Sequence, residues 1–363
     1  MGFVPPPYPY DRLDELAATA AGLRGGCVDL SIGTPCDPPP AAVVRALAQS
    51  NAERGYPASI GTLAFREAAA GWLERRLGVV IDPQREIAAC IGTKEFVAGI
   101  PQWLRLRTPE RDTVLYPAVS YPTYGMGATL AACRAVAYGS LDDISDDDAE
   151  RALCLWVNTP ANPSGELIDL DAAARWGRAR RIPVLSDECY VEFTWQGPPR
   201  TILEHGTSGV VAVHSLSKRS NLAGVRVGFY AGDIELVDYL RELRKHAGFM
   251  VAGPTQAAAT VALGDDAHVD EQRARYLGRL QRLSDILRAA LDLDVVVPEG
   301  GFYLWVPAPG GDAWGLTKRL ATDAGALVSP GEFYGPAGSG HVRIAVVQPD
   351  DRIELIAQRL GVR

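Results

Sequence analysis

The sequence lacks cysteine ligand patterns, a basic excess and long apolar runs, and each absence closes a class of function. Six cysteines (Cys27, Cys36, Cys90, Cys133, Cys154 and Cys189) are scattered over 363 residues. None belongs to a C-x-x-C and none clusters with histidine, so neither a disulfide framework nor a metal site is expected. They read as reduced, mostly buried thiols of a cytoplasmic protein. Lysine and arginine total 36 against 44 acidic residues, a net charge of -8. That balance argues against binding to nucleic acid or an anionic membrane. No apolar stretch approaches the roughly 20 residues of a membrane span. The opening MGFVPPPYPYDRLDEL has neither a basic segment nor an apolar one, so no secretory signal is expected from it. There is no internal repeat and no low-complexity linker.

What is present is a globular composition, 47% hydrophobic and 22% charged. The length implies one large domain and a smaller one. The proline-rich opening reads as an extended arm, because proline fixes φ and removes a donor. From about Ala41, short apolar runs recur: 86–93, 112–117, 152–160, 182–188, 209–217 and 225–232. Helix-like segments such as 170–181 lie between them. This alternation predicts an α/β fold, a mainly parallel sheet with helices on both faces. A long helix is predicted around Ala267–Leu291. After it, the runs DVVVP (294–298), GFYLWV, GALVSPG and HVRIAVV predict a smaller α+β domain. The expected division is 1–40 as arm and part of the small domain, 41–262 as the large domain and 263–363 as the small C-terminal one.

Ligands of open α/β sheets bind outside the carboxyl ends of the strands. Here those ends carry Gly92-Thr93-Lys94, the aromatic stretch Tyr116–Tyr124, Asn158 to Asn162, Asp187, and Ser215 to Lys218. Lys218 leaves a buried strand, and a desolvated lysine is nucleophilic and suits a Schiff base. A Schiff base to pyridoxal phosphate needs a carboxylate at the pyridine nitrogen and a phosphate site. Asp187, ending a buried run, supplies the carboxylate; capping the next helix is its other use. Tyr190 either donates to the phenolate oxygen of the cofactor or packs. Asn162 lies in NTPANPSG (158–165), whose prolines fix a rigid non-helical turn. Gly92, Thr93 and Lys94 open a helix, and a helix N-terminus accepts an anion. Ser215, Ser217 and Arg226 complete the phosphate donors, the arginine as a bidentate fork. Arg343, flanked by valine and isoleucine, pairs with a structural carboxylate or binds a ligand carboxylate, such as that of an amino acid.

Taken in order, G-T-K, N-x-P-x-N-P-x-G, D-E-C-Y, S-x-S-K-x₇-R and V-R-I-A resemble the pyridoxal-phosphate aminotransferases of fold type I, class I/II. The resemblance runs from SIGTP (31–35) to Arg343. It implies that Lys218 is the Schiff-base lysine and the proton carrier. It places Asp187 at the pyridinium, and Asn162 and Tyr190 at the phenolate oxygen. Thr93 and Lys94 would hold the phosphate through backbone amides, with Ser215, Ser217 and Arg226. Arg343 would clamp the substrate carboxylate, helped by Gly33 and Asn162. Tyr56 resembles the family tyrosine that reaches the phosphate of the neighbouring subunit, which implies a homodimer with a shared site. Family members often stack a tryptophan on the cofactor; here Ala118 stands near that place, so Tyr121 is the expected ring, with Tyr124 the alternative.

Within the family, GTKEF, SDECY and RKHAGFMVAGPTQAA (244–258) look like the actinobacterial N-succinyldiaminopimelate aminotransferases of lysine biosynthesis. The implied donor is glutamate, returned as 2-oxoglutarate, and the acceptor is a succinylated 2-oxo acid. Its extra carboxylates call for a second cation, for which Lys94, Arg219 and Arg24 are candidates. Aspartate, alanine, aromatic or direct diaminopimelate substrates, and a β-lyase, share the same catalytic set. A non-catalytic regulator would need a DNA-binding segment and a less acidic chain.

Overall fold

The computed structural model describes residues 2–362 and divides into two compact units. The larger unit comprises Pro38–Ala274 with Glu299–Gly301. Its core is a seven-stranded sheet: β1 (Ile87–Cys90), β2 (Thr113–Pro117), β3 (Arg134–Tyr138), β4 (Ala152–Asn158), β5 (Val184–Asp187), β6 (Val210–Ser215) and β7 (Gly228–Gly232). Their order across the sheet is β1-β7-β6-β5-β4-β2-β3. Only β7 runs against its neighbours, so six strands share one direction. All seven residues of β4 are buried, as a central strand covered on both faces requires.

Local signals fix the helices that cover this sheet. Leu63–Leu77 starts where the Thr62 hydroxyl accepts from the Phe65 N–H at 3.2 Å and stops at Gly78, with φ 69°. Leu170–Arg180 is capped by Asp169, which accepts from the Ala172 N–H at 2.9 Å. Two apolar layers result, one containing Phe65, Trp72, Leu155 and Phe229, the other Phe96, Tyr124, Trp156 and Tyr230.

The smaller unit comprises, among the described residues, 2–37, Arg275–Pro298 and 302–362. It holds an antiparallel sheet in the order Ser329–Pro330, His341–Ala345, Tyr303–Pro307, and a parallel pair, Val28–Asp29 with Ala326–Leu327. The helix Ala267–Leu291 stands where the sequence predicts it, and the division between units falls inside it.

Two strand expectations change. Residues 294–298 form no strand; the Val295 carbonyl accepts from the Arg288 side chain instead of a ladder partner. The strand β3 was not anticipated, because it lies at the sheet edge and three of its five residues are exposed. The thiols also differ. All six are free, but only Cys90 and Cys154 are buried, and Cys36 is exposed. Among the described residues, no helix is long and apolar enough to cross a membrane.

Candidate active site

The parallel strands set Asn158, Asp187 and Val213 side by side, in register across β4, β5 and β6. A hydrogen-bonded line then ties three distant motifs together. The Asn162 N–H donates to Asn158 Oδ1 at 2.7 Å. Asn158 Nδ2 donates to the Asp187 carbonyl at 2.8 Å. The Cys189 N–H donates to Asp187 Oδ1 at 3.2 Å, and Cys189 Sγ meets Thr93 Oγ1 at 3.1 Å. Asn158 and Cys189 lie within motifs that the sequence marks, and the structure adds a positioning role for each. The spacing N-x-P-x-N holds the signal for Asn158; nothing local marks the role of Cys189.

Asp187 is buried, and its Oδ2 accepts from the Tyr124 hydroxyl at 2.8 Å. Burial pushes its carboxyl above the usual range, while hydrogen bonds from Cys189 and Tyr124 and the charge of Lys218 pull it back. The net shift stays upward, so the carboxylate is short of positive charge in the protein alone. Tyr124 is thereby corrected as a stacking candidate. It is wholly buried, its ring packs on Trp156 at 5.2 Å, and its hydroxyl is held by Asp187. Tyr121 is half-buried, and the Lys94 ammonium lies 6.0 Å from its ring centre.

The strand β6 ends at Ser215, which caps the short helix Leu216–Arg219 by accepting from the Ser217 N–H at 3.1 Å. That turn carries Lys218, half-buried and close enough to act on the Asp187 charge. Arg219, one residue on, leaves in another direction because helical neighbours diverge by about 100°. It is buried, 3.4 Å from Glu192 Oε1, and donates to the Ala262 carbonyl at 2.9 Å. It is committed to the core and drops out as a substrate cation.

Gly228 in β7 pairs with Ser215 on one side and Cys90 on the other, which brings the end of β1 beside the end of β6. Gly92 follows, with φ 76° and ψ 157°, and caps the helix Thr93–Arg107. A methyl group on Gly92 would lie 2.4 Å from Arg226 Nη2. Arg226 itself sits at φ 59° and donates to the Ala223 carbonyl at 2.8 Å. A bare glycine, an exposed guanidinium and a helix N-terminus therefore meet at one place, a cradle shaped for an anion. Asn162 and Tyr190 are buried at the ends of the neighbouring motifs. Tyr56 is 99% exposed.

In the smaller unit, Arg343 lies in the central strand, in register with Ser329 and Trp305. Its guanidinium is 4.2 Å from the Tyr303 ring centre and 4.6 Å from that of Tyr334, and it donates to the Ser31 carbonyl. Gly33 packs against the same Tyr303 ring; a methyl there would fall 2.0 Å from its hydroxyl. Arg24 is exposed on this unit.

A family model described as aminotransferase class I and II matches residues 26–360. The chain belongs to the class I and II aminotransferases. The cofactor of this family and fold is pyridoxal 5'-phosphate. The residues present fit it: the glycine–arginine cradle suits a phosphate, and the charge-short Asp187 suits a protonated ring nitrogen. The aminotransferase is 42% identical to the 4-dedimethylamino-4-oxo-anhydrotetracycline transaminase OxyQ of Streptomyces rimosus, over 98% of this chain and 99% of that one. It is 40% identical to the probable aminotransferase Rv1178 of Mycobacterium tuberculosis, over 98% and 85%. The solved structure of a probable N-succinyldiaminopimelate aminotransferase from Thermus thermophilus superposes with a TM-score of 0.86 at 32% identity, covering 97% of this chain and 98% of that one.

Proposed function

We propose that this aminotransferase takes the amino group of glutamate, releases 2-oxoglutarate and passes the group to N-succinyl-2-amino-6-oxopimelate, with Lys218 as covalent anchor and proton carrier. The observation that supports the residue roles is the line Asn162–Asn158–Asp187–Cys189–Thr93, which fixes the ends of separate strands in one frame. Bound pyridoxal phosphate supplies the carbonyl that receives the amino group and a protonated ring that takes up electrons. Asp187 keeps the ring nitrogen protonated, since its buried carboxylate gains the cation it is short of. Asn162 and Tyr190 donate to the phenolate oxygen. Thr93 and Lys94 through their amides, Ser215 and Ser217 through their hydroxyls, and Arg226 hold the phosphate. Tyr121 covers the ring, and Tyr56 reaches the phosphate in the partner of a homodimer. Arg343, with Gly33 and Asn162, holds the α-carboxylate. Lys218 would move the proton from the α-carbon of the donor to the cofactor carbon C4′ that carries the amino group, and from C4′ to the α-carbon of the new amino acid in the second half of the cycle.

The acceptor is supported by the likeness to the Thermus protein, and Lys94, exposed at the start of its helix, is the cation offered to a succinyl carboxylate. A second reading, a ketone on a fused-ring skeleton, is favoured by the name of the 42% identical relative. The test is a two-step reaction followed by the visible band of the cofactor. Glutamate should remove the band, and the acceptor that restores it fastest names the substrate. The succinylated keto acid is the expected winner against oxaloacetate, pyruvate, phenylpyruvate and a ring ketone. Fastest recovery with any rival discards the proposed acceptor, and no response to glutamate discards the donor.

A further inference from the structure

We infer that Arg244 and Glu95 form a charge-cancelling pair that sets the Gly92–Thr93–Lys94 turn for phosphate, which makes Arg244 a positioning residue for the cofactor. The inference rests on the reading of that turn as the phosphate site.

Glu95 occupies the third position of the helix Thr93–Arg107. A carboxylate there gains from the positive end of the helix. A phosphate dianion uses the same end, so an uncompensated Glu95 would compete with it and repel it. Arg244 removes that conflict. Its Nη1 donates to Glu95 Oε1 at 2.6 Å and its Nη2 to Oε2 at 2.8 Å, a bidentate pair. Oε2 also accepts from the Ile91 N–H at 3.3 Å. The pair thus holds the chain on both sides of Gly92, the residue that faces Arg226.

Arg244 is 1% exposed, in the last turn of the helix Ile234–His246. Its guanidinium lies 5.6, 5.9 and 5.0 Å from the ring centres of Phe96, Tyr230 and Phe249. These rings favour a cation and keep water from it, so dissolved salt cannot take over its role. Phe96 follows Glu95 on the same helix, and Tyr230 lies in β7, hydrogen-bonded beside β1. The cage therefore belongs to the elements that carry the turn. With Glu95 neutralised, the helix N-terminus and Arg226 face the phosphate unopposed.

The experiment measures the affinity of the apoprotein for pyridoxal phosphate and for pyridoxal, which lacks the phosphate, together with the melting temperature of each apoprotein. Arg244→Met fills the cage without charge. It should weaken pyridoxal phosphate on the order of tenfold or more, and pyridoxal by less than about twofold. Glu95→Gln added to Arg244→Met should restore most of the loss. Glu95→Gln alone should bind pyridoxal phosphate as tightly as wild type or tighter, even where the apoprotein melts lower. Equal weakening of both ligands by Arg244→Met, or no recovery in the double variant, would overturn the inference. If Arg244→Met does not fold, the other two variants decide, and weakened pyridoxal phosphate in both overturns it. Wild-type protein that binds the two ligands equally would overturn the phosphate-site reading itself, and the pair's role with it.

Discussion

Replacing Gly92 by alanine probes the phosphate cradle at its tightest point. The glycine has φ 76° and ψ 157°, a region that glycine alone occupies cheaply. Any other residue there costs on the order of 1–3 kcal/mol. The added methyl would sit 2.4 Å from Arg226 Nη2 and 3.0 Å from its Cζ, so the guanidinium must withdraw. The two effects fall on different readouts. Backbone strain lowers the stability of the apoprotein by about 1–3 kcal/mol. Withdrawal of Arg226 removes charge-assisted hydrogen bonds of about 1.5–3 kcal/mol each, which is roughly a tenfold to hundredfold loss of pyridoxal phosphate affinity. Melting of the apoprotein measures the first, and titration with the cofactor, followed by its visible band, measures the second. A Gly92→Ala protein that binds the cofactor within about twofold of wild type would refute the placement of the phosphate between this glycine and Arg226.

Three further outcomes are expected. Asp187→Asn keeps the size of the side chain and an oxygen for the Tyr124 hydroxyl but removes the charge; it should slow the reaction with glutamate at least about a hundredfold while cofactor stays bound, and a rate within tenfold would remove Asp187 from the ring nitrogen. Burial raises the Glu188 carboxyl from 4.5 to about 7; its folded value exceeds the unfolded one, so stability is full below about pH 4.5 and is lost as pH rises through about 7. Glu188→Gln should therefore match wild type in acid and exceed it by on the order of 3 kcal/mol at pH 8.5, and denaturant melts showing the opposite trend would contradict the burial of a charge there. Arg343→Lys keeps a charge but not a planar fork between the Tyr303 and Tyr334 rings; KM for glutamate should rise about tenfold with cofactor affinity unchanged, and an unchanged KM would free Arg343 from the carboxylate.

The central strands were legible because a strand buried on both faces needs an apolar run, and β4 and β6 have one, while β5 follows a shorter one that ends in Ser186 and Asp187. The edge strand β3 needs none, and its exposed, arginine-led sequence reads as loop. The residues 294–298 had the right composition, yet the Arg288 side chain takes the Val295 carbonyl and no ladder forms. The chemistry at strand ends was legible for the same reason as the strands: a cation or carboxylate that ends an apolar run stands out. Direction was not. Arg219 and Lys218 are adjacent in sequence, but only the folded turn sends the arginine to Glu192. The two tyrosines of YPTY are alike in sequence, and the hydrogen bond from Tyr124 to Asp187 separates them. Arg244 carried no signal, since its partner lies 149 positions away.

The role of Lys218 is the claim on which the rest depends, and it can be read directly. The lysines of the chain are Lys94, Lys218, Lys245 and Lys318. Protein loaded with pyridoxal phosphate is reduced with borohydride, digested, and the modified lysine is located by mass spectrometry. The expected result is a pyridoxyl group on Lys218 alone, lost when glutamate is added before reduction. Modification of Lys94 instead, or of Lys218 in a manner that glutamate does not affect, would contradict that role.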